Sequence, residues 1–420
     1  MTGLYNDDYL QQLTGEVEKS LGHWNINETA NISLLTVSEN ATFMVTDEEK
    51  DQRFIIRVHH PEYHSKNEIL SELSWIQSLR EQALLNTPEP LTRHDGSMVA
   101  SFSDDGVERY VVAFEFMPGK QPNEDESMIE GFEILGATSA RLHQQARQWS
   151  LPEGFTRKKW NFDSAFEANG DWRDAPGLDP AGQAILEQLC EVLEAKLHHY
   201  GESPDRFGLV HADLRLANLL VDDKQLSVID FDACGFSWFI YDFASVVSFL
   251  ETSPLLPDLQ RAWVRGYKSI APLSAEDEAM ISTFVMFRRL LLTAWVASHP
   301  ETETAAEAGF EQFTFGTIER AKQYLQQQTE ESNGLTEKRI LDMNAFEANQ
   351  GEHQQNVTRR LNNLGAAGLP RCDPIEMVSA QGAWMQAADG KRYFDFIIMC
   401  LVWGIVIPMW LRTSQSKLLR

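Results

Sequence analysis

The sequence predicts an α+β fold of two unequal lobes, a small antiparallel β lobe over residues 1–117 and a larger, mainly helical lobe over 118–328. Three observations carry this expectation. Apolar residues recur at period two in several short runs between 31 and 117. They recur at helical spacing through most of 128–328. Within that second region, residues 209–242 (LVHADLRLANLLVDDKQLSVIDFDACGFSWFIYD) read as a loop feeding a β-hairpin whose open end carries acidic and amide side chains.

The elements follow in order. Residues 5–22 form an amphipathic helix with Leu10, Leu13, Val17 and Leu21 at helical spacing. Residues 32–37, 41–45 and 54–58 alternate as three antiparallel strands, the first two joined by Ser38, Glu39 and Asn40. A helix over 67–83 puts Ile69, Leu73, Ile76 and Leu79 on one face and carries Glu68 and Glu72 four residues apart. Two strands within 88–117 follow, the second over 110–117, and Pro118-Gly119 ends it. Helices over 128–148 and 181–200 enclose an irregular stretch, 161–179, rich in Trp, Asp and Gly. His143, on the first of these helices, reads as a packing histidine. Beyond the hairpin, helices are expected over 244–251, 259–267, 276–298 and 310–328, with Arg288, Arg289 and Trp295 on the third. The polar run 326–334 closes this unit, and 329–370 reads as a linker.

The hairpin carries the chemistry. Strands 219–221 and 226–229 flank the turn 222–225, so folding brings the entry residues His211, Asp213 and Asn218 beside the exit residues Asp230 and Asp232. Asp213, Asn218 and Asp230 then form a hard, oxygen-only set suited to Mg²⁺ with nucleotide phosphates as further ligands. A carboxylate beside that set accepts the proton of an attacking hydroxyl. Asp222 and Asp223 sit at the hairpin tip and read as a solvated turn, whereas the other three abut apolar runs.

Composition fits an enzyme. The 420 residues are 43% hydrophobic, with 11 Trp and 23 Phe, enough for a sizeable core. A net charge of −26 argues against nucleic acid or an anionic membrane as partner, because phosphate binding rests on Lys and Arg. The four cysteines lie far apart and form neither a zinc pattern nor a disulfide framework. The first residues, MTGLYNDDYLQQL, lack a basic and an apolar region, so a cytoplasmic protein without a secretory leader is expected.

HADLRLANLL followed by VIDFD resembles the aminoglycoside phosphotransferase and choline kinase family, the small-molecule branch of the protein-kinase-like fold, in its hydroxylysine-kinase-like part. The resemblance implies that Asp213 is the base, that Asn218 and Asp230 hold Mg²⁺, and that His211 braces the catalytic loop. Asp242 and Asp232 would support the site. Arg57 stands where the kinase pattern has a phosphate-binding lysine, and Glu72, rather than Glu68, is expected to pair with it. The turn with Ser38 and Asn40 occupies the place of the glycine-rich phosphate loop and has no glycine. The run EFMPG resembles a hinge, where backbone groups at Glu115 and Met117 would hold the base of ATP or GTP. Trp160 beside the irregular stretch, Asp163 and Trp172 within it, and Trp295 are candidate substrate contacts; Trp295 reads first as a core-packing residue, with an aromatic wall for a cationic amine as the sharper alternative.

A second resemblance lies in residues 371–420. RCDPIEMVSAQGAWMQAADGKRYFDF resembles the start of class III pyridoxal-phosphate aminotransferases of the phospho-lyase type. No chain remains for a cofactor lysine, so no PLP is expected. Back-translation of 403–410, read two bases later, can encode GHCHPDV, which fits the G-H-x-H-P-x-V landmark that family carries next and points to a frameshifted tail. The rival reading is a membrane span. Residues 397–411 give only 15 uncharged positions, against about 20 for a spanning helix, and include Pro408.

The function expected is transfer of the γ-phosphate of ATP or GTP, with Mg²⁺, to a hydroxyl of an amino alcohol such as hydroxylysine or ethanolamine. A kinase fused to a phospho-lyase would make the phosphorylated amino alcohol that such an enzyme consumes. The alternatives are an aminoglycoside, choline or homoserine kinase, a bacterial Ser/Thr protein kinase, and a nucleotide-binding pseudokinase.

Overall fold

The computed structural model describes residues 6–122, 128–222 and 225–330, and the backbone of Met377–Gln381, Trp384–Ala387 and Arg392–Phe394. The chain divides into two units, Met1–Asn333 and Gly334–Arg420.

In the first unit, helix α1 (Asp7–Ser20) starts at Asn6, whose side chain accepts from the Tyr9 amide at 3.0 Å. Strands β1 (Asn31–Val37), β2 (Ala41–Asp47), β3 (Gln52–Val58), β4 (Val99–Asp104) and β5 (Val107–Glu115) form an antiparallel sheet in the order β1-β2-β3-β5-β4. β2 shows why it is a strand: Ala41, Phe43 and Val45 are buried and alternate with half-buried neighbours. They pack with Ile56, Val111 and Ala113 and with Leu13, Val17 and Leu21 of α1.

Helix α2 (Lys66–Glu81) follows β3 and begins at a reciprocal capping box, with Glu68 N donating to Ser65 Oγ at 3.3 Å and Ser65 N to Glu68 Oε2 at 2.8 Å. Glu68 is thereby spent on the helix start, and Glu72 is left to face inward. Ile69, Leu73, Trp75, Ile76 and Leu79 of α2 join the core of the helical lobe.

That lobe comprises α3 (Met128–Gln148), the short α4 (Ala165–Asn169), α5 (Pro180–Tyr200), α6 (Tyr241–Val246), α7 (Leu256–Lys268), α8 (Ala275–Ser298), α9 (Glu303–Ala308) and α10 (residues 310–330). α6 starts three residues before the expected 244 and is shorter. The reason is Asp242, whose fully buried carboxylate lies in the first turn and binds loop amides there. α8 is the one helix among the described residues long and apolar enough to cross a membrane, and 72% of its apolar window is buried inside the fold.

α3 and α7 cross at two glycines. A Cβ on Gly136 would stand 2.0 Å from the Trp263 carbonyl oxygen, and one on Gly266 would stand 1.8 Å from that of Glu133. Gly266→Ala is therefore expected to force the helices apart, at a cost of about 1–3 kcal/mol or more. Thermal unfolding that matches the parent chain would refute this crossing.

Strands β6 (Phe207–Val210) and β9 (Gly235–Trp238) pair antiparallel, and between them lies the hairpin of β7 (Leu219–Asp222) and β8 (Gln225–Val228). The pair β6–β9 was not expected from the sequence. It closes the base of the hairpin, so that loops 211–218 and 229–234 are neighbours. The two-lobed, protein-kinase-like α+β architecture is thus the one observed.

In the second unit, Met377–Gln381, Trp384–Ala387 and Arg392–Phe394 form a three-stranded antiparallel sheet, with Gln381 opposite Trp384 and Met385 opposite Tyr393. The linker beyond residue 330 and the apolar 397–420 tail lie outside the described residues.

Candidate active site

The catalytic-type loop is held from behind by helix starts. Asp242 accepts from Ala212 N at 2.8 Å and His211 N at 3.3 Å, and Ser245 Oγ accepts from Leu214 N at 3.0 Å. These bonds let the non-glycine Ala212 stay at φ 66°. Asp242 is in turn bonded to His143 Nε2 at 2.9 Å, and His143 Nδ1 meets Tyr267 Oη at 3.1 Å. His143 is therefore a packing residue with a defined task, orienting Asp242.

His211 is fully buried. Its Nδ1 accepts from Asp213 N at 3.3 Å, which leaves Nε2–H to donate to Ile229 O at 3.2 Å. Burial lowers its pKa and keeps it neutral. It ties the two loops together and lies outside the cavity wall.

Asp213 faces a cavity of about 610 Å³ between the lobes. Asn218 Nδ2 donates to Asp213 Oδ2 at 2.8 Å and to Asp213 O at 2.8 Å, which orients the amide. Arg288 Nη2 donates to Asp213 Oδ1 at 2.6 Å, and Arg215 Nε lies 3.3 Å from Oδ2. Burial alone would raise this carboxyl, and the Arg215 and Arg288 guanidiniums more than reverse it, holding Asp213 below the ordinary carboxylate value. Asp230 lies at φ 59°, just before a 3₁₀ turn, and also lines the cavity. Its side chain is half exposed; its place among enclosing groups, with Asp232 and Asp213 adding and Arg57 opposing, pushes its carboxyl above the ordinary value.

Arg57 is the hub on the β-lobe side. Nη1 reaches Glu72 Oε1 at 2.9 Å and Oε2 at 3.1 Å and Asp232 Oδ1 at 3.1 Å, and Nη2 reaches Asp230 Oδ1 at 3.3 Å. Glu72 is fully buried and does not line the cavity, so its part is to hold Arg57. Asp232 accepts from Asn40 Nδ2 at 2.8 Å, and its carbonyl binds His64 Nε2 at 2.9 Å and receives Arg157. Despite burial, His64 and Arg57 hold Asp232 well below the usual carboxylate range.

Ser38, Glu115 and Met117 line the cavity. Glu115 N and Phe116 N are spent on Glu89 O and Arg53 O, at 2.9 and 3.2 Å. Among the described residues the Met117 amide has no such backbone partner. Asn40 differs from expectation. Its side chain is buried, spans Asp232 and the His60 amide, at 2.8 and 3.1 Å, and stays out of the cavity wall. A glycine-free turn is held in place this way.

Of the four substrate candidates the cavity wall includes Trp160 and Trp295. Trp160 Nε1 donates to Ala233 O at 2.7 Å. Trp295 Nε1 donates to Glu39 Oε1 at 2.8 Å, its ring stacked on His299 with centroids 4.9 Å apart. Trp172 is 2% exposed in the core, and Asp163 lies on the surface 3.3 Å from His198; neither reaches the cavity. Local composition marked the stretch but could not say which side chains turn inward.

The sequence reading assigned no role to Arg288, Arg157 or Arg215. For Arg288 the available signal was an Arg pair inside an otherwise apolar stretch of α8, since a buried charge needs a partner. Arg289, the other member, pairs with Glu251 at 2.8 Å away from the cavity.

The sequence pattern of APH, the phosphotransferase enzyme family, matches residues 34–276. The solved structure of a microcompartment-associated aminopropanol kinase is 40% identical, with a TM-score of 0.68 over 75% of this chain and 98% of that one. The amicoumacin kinase of Bacillus subtilis (strain 168) is 22% identical over 253 residues, which cover 58% of this chain and 73% of that protein. A structure of the amicoumacin kinase hAmiN in complex with AMP-PNP, Ca²⁺ and Ami shares the fold, with 24% identity and a TM-score of 0.62 over 75% of this chain and 94% of that one. The chain belongs to the phosphotransferase enzyme family and is, at that level, a small-molecule kinase.

Proposed function

We propose that this chain transfers the γ-phosphate of ATP or GTP to the hydroxyl of a small amino alcohol. The observation that carries the reading is the convergence of Asp213, Asn218 and Asp230 on one cavity that also reaches the hinge. The 40% identity to an aminopropanol kinase over 98% of that chain supports the acceptor class.

Residues 1–117 bind the nucleotide in this scheme, and 118–328 carry the catalytic loop and the acceptor. Ile55, Ile76 and Leu220 line the cavity with Met117 and would offer the base an apolar slot beside the Met117 amide, while Arg57 and Ser38, on the same wall, would serve the phosphates. Asn218, its nitrogen taken by Asp213, offers its Oδ1, and Asp230 offers a carboxylate in a surplus of negative charge. Hard oxygen donors of this kind fit Mg²⁺, which when bound would neutralise charge on the transferring phosphate. Asp213 orients the acceptor hydroxyl and takes its proton. The Arg288 guanidinium beside Asp213 disfavours an ammonium there, so the amine end points toward Glu303, Phe249 and Trp295 of the same wall.

The test is phosphate transfer from Mg·ATP and Mg·GTP to aminopropanol, ethanolamine, hydroxylysine, choline, homoserine and an aminoglycoside. Turnover on an amino alcohol supports the reading. Nucleotide binding without transfer to any of them would replace it with a protein kinase or pseudokinase. Because every group named here lies before residue 331, deletion of residues 335–420 is expected to leave transfer unchanged; loss of transfer in a folded truncation would refute that division.

A further inference from the structure

Asp213 has two carboxylate oxygens, and both are occupied. Oδ2 receives Asn218 Nδ2 at 2.8 Å and lies 3.3 Å from Arg215 Nε, whereas Oδ1 receives Arg288 Nη2 at 2.6 Å. Oδ2 holds two partners and Oδ1 one, so Oδ1 is the oxygen an incoming hydroxyl can claim, by displacing the guanidinium that sits on it. Arg288 is anchored at two further atoms. Nε donates to Ser248 Oγ at 3.1 Å and Nη1 to Tyr241 Oη at 3.2 Å, while its side chain, 13% exposed, borders the cavity.

This geometry bears on the competitor that every kinase faces. A carboxylate with an open oxygen beside a γ-phosphoryl orients water as readily as it orients an alcohol. Attack by water forms a P–O bond to the water oxygen and breaks the bond from the γ-phosphorus to the β–γ bridging oxygen. The products are a nucleoside diphosphate and inorganic phosphate, and the water proton leaves through Asp213. Charge-assisted bonds of the Arg–carboxylate type are among the stronger ones in proteins. A lone water, bringing no other contacts, competes poorly for Oδ1. An acceptor anchored elsewhere in the cavity supplies binding energy to displace the guanidinium as its hydroxyl arrives.

Resting on the phosphotransferase reading of this site, we propose that Arg288 is a positioning residue that keeps Asp213 Oδ1 covered until the acceptor binds, and so favours transfer to the acceptor over transfer to water.

The readout is the ratio of nucleotide hydrolysed without acceptor to phosphate transferred with a saturating amino alcohol, measured on the full chain. Arg288→Gln is expected to raise that ratio by about tenfold, the worth of one charge-assisted hydrogen bond. Arg288→Lys, which keeps a charge without the planar fork, should fall between the two. Tyr241→Phe releases one anchor, leaves Arg288 in place, and should move the ratio in the same direction by less. It carries the test if Arg288→Gln does not fold. A merely structural role would lower hydrolysis and transfer together and leave the ratio unchanged, and that result overturns the proposal. Wild-type transfer to an acceptor with an unchanged ratio in the variants removes only the role of Arg288. A wild type that transfers to no acceptor and hydrolyses nucleotide no faster than Asp213→Asn removes the phosphotransferase reading as well.

Discussion

Asp213→Asn is expected to lower kcat for phosphate transfer by about 10²- to 10⁴-fold, the range for loss of a positioned general base. The substitution keeps the side-chain shape, and the loop around it has independent supports: Ala212 N and Leu214 N bind Asp242 and Ser245, not Asp213. What it removes is the negative charge. In the parent chain, Arg215 and Arg288 hold that carboxyl below its ordinary value against burial, so Asp213 is charged throughout the neutral range. The same depression is a stabilising term present above the unfolded carboxylate pKa and lost as pH falls through the lower folded value. The variant lacks that term at every pH, and its two guanidiniums face a neutral amide. Two measurements separate these effects. Nucleotide affinity, which does not depend on Asp213 in this scheme, should stay close to that of the parent, while turnover collapses. Retention of a tenth or more of the parent kcat would remove Asp213 from the role of base.

The parts of the site that were legible in the sequence are those set by short-range geometry. Asp213, Asn218 and Asp230 lie within 18 residues of one another around a single hairpin, and the apolar strands on either side leave the chain one way to fold back. The choice between Glu68 and Glu72 was also written locally, because Ser65 three positions before Glu68 is a capping-box signature. Contacts between distant segments were not legible. Arg288 reaches Asp213 across 75 positions, and Asn40 reaches Asp232 across 192. Asn40 lies in a turn, and a turn constrains backbone direction more than it constrains where a polar side chain finds its partner. For Trp172 and Asp163, the composition of an irregular stretch names the segment that approaches the cavity but not the rotation of each residue in it. The pairing of β6 with β9 was missed because four-residue strands carry too little periodicity to stand out.

Arg57→Met is expected to destabilise the first unit by about 3–5 kcal/mol, as loss of one partner from a buried ion pair does. The guanidinium serves three carboxylates: Glu72, which is 0% exposed, Asp232, which is 7% exposed, and Asp230. Burial favours a neutral group at position 57, and those carboxylates together outweigh it, so Arg57 stays charged. Methionine fills much of the volume but leaves Glu72 in the core without a cation. Lysine, which the kinase pattern would place here, carries the charge as a single point; it cannot span Glu72, Asp232 and Asp230 as the planar fork does, so Arg57→Lys should recover only part of the loss. Removing the stranded charge as well, in Arg57→Met with Glu72→Leu, should restore more stability than either single replacement suggests, because the penalty lies in the unpaired carboxylate and not in the missing pair. Denaturant unfolding of the parent, the three single variants and the double variant reads this directly. If Arg57→Met costs less than about 1 kcal/mol, the range of a solvent-screened surface pair, then water reaches Glu72 and the arginine is there for the nucleotide alone. A large loss that the double variant reverses, with nucleotide binding still absent, would give Arg57 both tasks: holding the two lobes' carboxylates together and presenting charge to the phosphates.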